Sequence, residues 1–219
     1  MIIKTCGLRS PDNIRAISQL AIDWLGFIFY PKSQRFMGDD NHLRTFLQSE
    51  EGKAMPQKRV GVFVNATHDD LVKTVSTYQL DYVQLHGAEG PMYCEAIQQH
   101  LDKYADKKPE LIRAFRVSNA FDFGITTDYH PYCSHFVFDA KGQLPGGNGH
   151  QYNWSILDRY TGKTPFLLSG GIGPSDVAGI QQLKHSALAG IDINSKFETK
   201  PALKDVALLT TFTQSIRQF

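Results

Sequence analysis

Eight short apolar segments recur along this chain of 219 residues, each followed by a stretch with helical spacing, at an average interval of about 27 residues. The first runs from Ile2 into Cys6; the others cover residues 24–29, 59–64, 82–85, 111–115, 135–139, 165–169 and 187–191. Some, such as 24–29, are apolar almost without interruption, as strands are when both faces are covered. Between them, Ser10 and Pro11 open a helix with Ile14, Ile17 and Ala21 on one side. A helix is expected over 42–50, and Thr67 with Asp70 resembles a capping box ahead of Leu71, Val72, Val75 and Tyr78. Pro91 opens the next, through Ile97 and Leu101; a weakly patterned one follows over 120–128 and a short one over 154–160. Val177, Ile180 and Leu183 mark another, and Leu203, Val206, Leu209 and Ile216 the last. Strict alternation of strand and helix demands a parallel sheet, either a closed (β/α)8 TIM barrel or an open doubly wound sheet. The count of eight, with no shift in composition along the chain, favours an α/β fold with one barrel domain over residues 1–219.

Composition narrows the partners. The chain has 23 basic and 22 acidic residues, so its net charge of +1 gives no reason to expect nucleic acid or an anionic membrane. Cys6, Cys94 and Cys133 are odd in number and irregularly spaced, which fits reduced thiols rather than a disulfide framework or a zinc site. The N-terminus lacks the pattern of a signal peptide, and no run approaches the ~18 apolar residues of a membrane helix. A soluble, cytoplasmic protein is expected, as a monomer or a homodimer.

In a barrel the chemistry lies at the C-terminal ends of the strands. Those ends carry Cys6, the loop to Arg35, Asn65, Gln84 with His86, Arg116, Asp139, Gly170-Gly171, and Asp192 with Asn194 and Ser195. Cys6 is either a small buried hydrophobe or a reactive thiol. Asp139, closing an apolar strand, is an acid raised by desolvation, or else a helix cap or the partner of Lys141. Arg35 could fork a carboxylate, and His86 could titrate or hydrogen-bond beneath the site. The glycine turns after the seventh and eighth strands suit a phosphate, because small residues let backbone N–H groups approach an anion; a tight turn without a ligand is the alternative. No histidine, cysteine, aspartate and glutamate cluster has metal-ligand spacing, and no serine sits in a nucleophile elbow.

Six motifs, in order, resemble the phosphoribosylanthranilate isomerase family over essentially the whole chain. They are Lys4-Thr5-Cys6-Gly7; Gly26-Phe27-Ile28-Phe29 with Ser33 and Arg35; Asp81-Tyr82-Val83-Gln84-Leu85-His86-Gly87; Phe138-Asp139 with Gly146-Gly147-Asn148-Gly149; Ser169-Gly170-Gly171-Ile172; and Gly190-Ile191-Asp192. The resemblance implies a cofactor-free Amadori rearrangement of N-(5-phosphoribosyl)anthranilate to the 1-deoxyribulose 5-phosphate, a step of tryptophan biosynthesis. It implies Asp139 as general acid, Cys6 as general base, Arg35 on the anthranilate carboxylate and Asp192 on the ribose hydroxyls. Gln84, His86 and Gly147 would line the substrate. Backbone groups near Gly170, Gly171, Asn194 and Ser195 would hold the phosphate. Two departures stand out: Asn148 where a small hydroxyl residue is expected, and Asn194-Ser195-Lys196 where the pattern has two serines and a glycine. A histidine-pathway type of sugar isomerase would carry aspartate at the end of its first strand, and Cys6 argues against it. A non-catalytic phosphosugar-binding barrel would not call for both Cys6 and Asp139.

Overall fold

Strand β1 (Ile2–Thr5) pairs in parallel with both β2 (Trp24–Ile28) and β8 (Leu188–Ile193), and this double pairing closes the sheet into a barrel. The computed structural model describes residues 1–38, 40–140 and 154–218. Between those strands run β3 (Lys58–Phe63), β4 (Tyr82–Leu85), β5 (Glu110–Val117), β6 (Cys133–Ala140) and β7 (Phe166–Ser169), each hydrogen-bonded to its sequence neighbour.

Successive side chains on a strand point to opposite faces, so each strand feeds two cores. Outward residues such as Ile3, Leu25, Phe27, Phe63, Phe138 and Leu168 join the layer under the helices. Inside the barrel, Trp24, Val60, Ile112, Ala114, Val137 and Leu167 form a second cluster, with Ile2 and Tyr82 packed against it. Burial on both sides explains the nearly continuous apolar runs, at roughly 1.5–3 kcal/mol per large side chain.

The helices begin where short polar side chains cap free backbone N–H groups. Ser10 accepts from the Asn13 N–H at the start of α1 (Pro11–Ser18), and Asp40 accepts from His42 and Leu43 at the start of α2 (Asn41–Gln48). The helix expected over 42–50 is two: Ser49 turns extended, with ψ 164°, and caps α3 (Glu50–Ala54) through the Gly52 N–H. Thr67 caps α4 (His68–Tyr78) by accepting from the Asp70 N–H, but its hydroxyl, rather than its own N–H, donates to the Asp70 carboxylate. Helix α5 (Pro91–Tyr104) starts on its proline as expected.

Three further expectations need correction. Residues 120–128 form no α-helix; a 3-10 turn of helix runs over Phe123–Tyr129, where Gly124 and the β-branched Ile125, Thr126 and Thr127 disfavour α geometry. The short helix after residue 154 is also 3-10, over Trp154–Arg159. Leu203 does not belong to the last helix, because a hairpin of β9 (Glu198–Lys200) and β10 (Leu203–Lys204) intervenes. Asp205 then caps the last helix, so that α6 (Val177–Gln182) is followed by α7 (Val206–Arg217). Asn13 of α1 clasps the hairpin, donating to the Lys204 carbonyl at 2.9 Å and accepting from its N–H at 2.9 Å.

Candidate active site

The strand register assembles the mouth of the barrel. Asp139 lies opposite Ser169, Ser169 opposite Asp192, and Asp192 opposite Lys4, so four polar residues on β6, β7, β8 and β1 form one row. The two-residue period places Lys4 on the face of Ile2, and Cys6 just past the strand end on that same face. By the same period Gln84 follows Tyr82, and Asp139 follows Val137.

Cys6 is buried, with its N–H donating to the Ile193 carbonyl at 2.9 Å. Gly26 is the reason it fits: a Cβ there would stand 2.9 Å from both the Cα and the Sγ of Cys6. Burial pushes the Cys6 thiol up, and the Lys4 and Lys204 ammonium groups draw it only partly back. The cations that lower the thiol pKa most are therefore these two lysines.

Lys4 is fully buried and donates to Asp192 Oδ2 at 2.8 Å. Burial alone would lower the Lys4 pKa, but Asp192 and Cys6 outweigh it and raise it, so this ammonium stays charged. Asp192 Oδ1 is also buried and has no partner among the described residues. Such an orphaned acceptor costs about 1–3 kcal/mol or more if left unmet, which points to a donor arriving with a ligand. Asp192→Ala, by stranding the Lys4 charge, is expected to lower the free energy of unfolding by about 3–5 kcal/mol. Urea denaturation reads this directly, and a loss under about 1 kcal/mol would contradict the buried pair.

On the far side of the mouth, His86 Nε2 lies 3.6 Å from Asp139 Oδ2. The Gln84 amide nitrogen sits 3.1 Å from His86 Nδ1, so the ring is held between Gln84 and Asp139. His86 thus stands beside the acid. Lys141, the alternative partner of Asp139, lies outside the described residues, as do Gly147 and Asn148. Asn65 and Glu89 are structural: Glu89 accepts from the Asn65 and Gly87 N–H groups at 2.7 and 2.8 Å and pairs with Arg113 at 3.1 Å, bracing the loops around His86.

Gly170 and Gly171 have φ of +96° and +71°, a conformation that favours glycine, and a Cβ on Gly171 would meet open space. The Lys196 side chain runs alongside: its Cβ is 3.7 Å from where a Cβ on Gly173 would be. Ser195 is exposed at the start of a 3-10 turn over Ser195–Phe197. The Asn194 side-chain oxygen accepts from Lys204 Nζ at 2.7 Å, a contact separate from the backbone role expected of this residue.

Arg35 is committed inside the protein. Its Nε and Nη2 fork the Glu198 carboxylate at 2.9 and 2.6 Å, and Lys204 Nζ holds the same carboxylate at 2.6 Å. Lys4, Glu198 and Lys204 are the charged neighbours of these residues that strand-end reasoning passed over. A lysine between Ile3 and Thr5, two residues before Cys6, was the available signal for the first. Among the described residues no group of three or more His, Cys, Asp or Glu side chains could hold a metal ion, and no helix is long and apolar enough to cross a membrane. The hollow of about 610 Å³ lined by His130, Cys133, Thr161 and Lys163 opens where β6 and β7 begin, at the opposite end of the barrel from this chemistry.

Known proteins share this fold and much of this sequence. The family profile described as N-(5'phosphoribosyl)anthranilate (PRA) isomerase matches residues 3–215. An N-(5'-phosphoribosyl)anthranilate isomerase from Parabacteroides distasonis is 44% identical, over 99% of this chain and 93% of its own. The crystal structure of phosphoribosyl anthranilate isomerase from Thermotoga maritima superposes with a TM-score of 0.80 at 27% identity, covering all of both chains. A further isomerase structure, in complex with reduced 1-(o-carboxyphenylamino)-1-deoxyribulose 5-phosphate, gives a TM-score of 0.76 at 25% identity, again over both whole chains. With a profile match across nearly every strand and helix, this closed eight-stranded barrel belongs to the N-(5'-phosphoribosyl)anthranilate isomerase family.

Proposed function

We propose that the protein converts N-(5-phosphoribosyl)anthranilate to 1-(2-carboxyphenylamino)-1-deoxyribulose 5-phosphate, with Asp139 as general acid and Cys6 as general base. The observation that carries the reading is the placement of these two side chains at the ends of β6 and β1, on the inward face of one closed barrel. Asp139 protonates the furanose ring oxygen, and the C1–O bond breaks to leave a Schiff base at C1. The Cys6 thiolate removes the proton from C2, and that electron pair forms the C1–C2 double bond of an enolamine. Protonation at C1 and loss of the hydroxyl proton at C2 give the ketone. Every atom of the substrate is retained, so no redox partner is required.

The remaining residues bind. The unpartnered Asp192 Oδ1 accepts from the ribose hydroxyls, and Arg35 holds the anthranilate carboxylate. Gln84 and His86 line the acid side of the pocket, and Gly147, outside the described residues, is assigned to the substrate by the family resemblance. The phosphate rests on backbone N–H groups of Gly170, Gly171, Asn194 and Ser195, and the adjacent Lys196 ammonium offers a charge where the family pattern has glycine. General acid and base each supply about 10²–10⁴-fold, and anchoring of the two distant anions contributes much of the remainder.

The raised thiol sets a pH dependence. A base acts only when deprotonated, so a thiol pKa pushed upward moves the rise of activity to higher pH. The kcat/KM profile is expected to keep climbing past about pH 8.5, the ordinary thiol value, and a plateau reached below about pH 7 would contradict the assignment of Cys6. The proton path is tested with substrate deuterated at C2 and turned over in ordinary water. Transfer through the thiol loses label to solvent, whereas complete retention at C1 would signal a direct hydride shift and overturn the proposed chemistry.

A further inference from the structure

Three ionised side chains meet behind the carboxylate site: Arg35, Glu198 and Lys204. The hairpin sets Lys204 directly opposite Glu198 in the β9–β10 register. Glu198 accepts from Lys204 Nζ at 2.6 Å, from Arg35 Nη2 at 2.6 Å and Nε at 2.9 Å, and from the Ala202 N–H at 3.2 Å. Its side chain is 4% exposed and that of Lys204 is 0% exposed, against 21% for Arg35. Burial pushes the Glu198 carboxyl up, but the hydrogen bonds from Arg35 and Lys204 outweigh it and hold the group below the usual carboxylate range. Neither Glu198 nor Lys204 takes part in the proton transfers described above.

A guanidinium can fork a carboxylate along its Nε–Nη2 edge or across its Nη1–Nη2 end. In this protein the first is filled by Glu198, and Nη1 has no partner among the described residues. The stem of Arg35 is fixed as well, because it crosses Gly7: a Cβ there would stand 2.6 Å from Arg35 Cδ. Charge completes the arrangement. An isolated Arg35–Glu198 pair would be neutral towards an incoming anion, but Lys204 offsets Glu198, so the trio keeps one net positive charge.

We propose that Glu198 is a positioning residue for recognition of the substrate's aromatic carboxylate, holding the Nε edge of Arg35 so that the Nη1–Nη2 end faces the ligand, with Lys204 preserving the net charge. This rests on the reading that Arg35 binds the anthranilate carboxylate.

The test compares two probes by calorimetry: reduced 1-(o-carboxyphenylamino)-1-deoxyribulose 5-phosphate and its counterpart without the carboxyl group. In Glu198→Gln the carboxylated probe is expected to bind about tenfold or more weakly, and the other to change by less than about twofold. In turnover the same variant raises KM while kcat stays within about threefold. Equal weakening of both probes, or of neither, overturns the inference. A double variant, Glu198→Leu with Lys204→Met, replaces the buried ions by apolar groups and guards against misfolding. It is expected to fold and to lose the preference for the carboxylated probe; if folded and still selective, it too overturns the inference. An unmutated protein that binds both probes equally would remove Arg35 from the carboxylate altogether. Selective binding that Glu198→Gln leaves intact would reject Glu198 alone.

Discussion

Cys6→Ala is expected to lower kcat by at least about a hundredfold, with KM for the substrate changed by no more than a few-fold. The loss follows from the proposed role of Cys6 in taking the C2 proton, while the groups proposed to hold the two anions lie on other loops. Cys6→Ser is the sharper companion. It keeps the volume pressed against Gly26 but offers a hydroxyl far less acidic than a thiol, so it should be as inactive as the alanine variant. If the serine variant kept nearly full turnover, Cys6 would be a packing residue and the base would lie elsewhere. Steady-state kinetics under reducing conditions decide this, with urea unfolding to confirm that neither variant has lost its fold.

Asp139→Asn is expected to cost a comparable factor, at least about a hundredfold in kcat. The amide keeps the shape beside His86, whose Nε2 lies 3.6 Å from the carboxylate in the unmutated protein, but it cannot give a proton to the ring oxygen. Binding of the reduced product analogue should survive within a few-fold, which separates lost chemistry from lost structure. A variant with more than about a third of the original kcat would remove Asp139 from the acid role. His86 lies beside this carboxylate but is given no proton transfer in the proposal, so a His86 substitution should perturb the rate less than Asp139→Asn does.

Much of this site was legible before any coordinates, because barrel chemistry collects at strand ends and each end carries a short local motif. Cys6, Asp139, Asp192 and the Gly170-Gly171 turn could be placed at the mouth from the strand count alone, and the closed sheet gathers them there. Interactions between distant parts of the chain were not legible. Lys4 meets Asp192 across 188 residues and Arg35 meets Glu198 across 163, and both depend on register and on a hairpin that the apolar pattern conceals. Leu203 shows the difficulty: it falls in helical phase with Val206 and Leu209, yet it belongs to β10 because Asp205 opens α7 after it. The helix expected over 120–128 failed because Gly124 and three β-branched residues favour a 3-10 turn over Phe123–Tyr129. The 42–50 segment failed for a local reason, since Ser49 caps the next helix rather than continuing the first.

The most direct measurement is consumption of N-(5-phosphoribosyl)anthranilate by freshly purified, reduced protein, followed as the loss of substrate fluorescence. Turnover of the unmutated protein that falls at least about a hundredfold in both Cys6→Ala and Asp139→Asn is the predicted result. No turnover by folded, reduced, unmutated protein would contradict the proposed function outright.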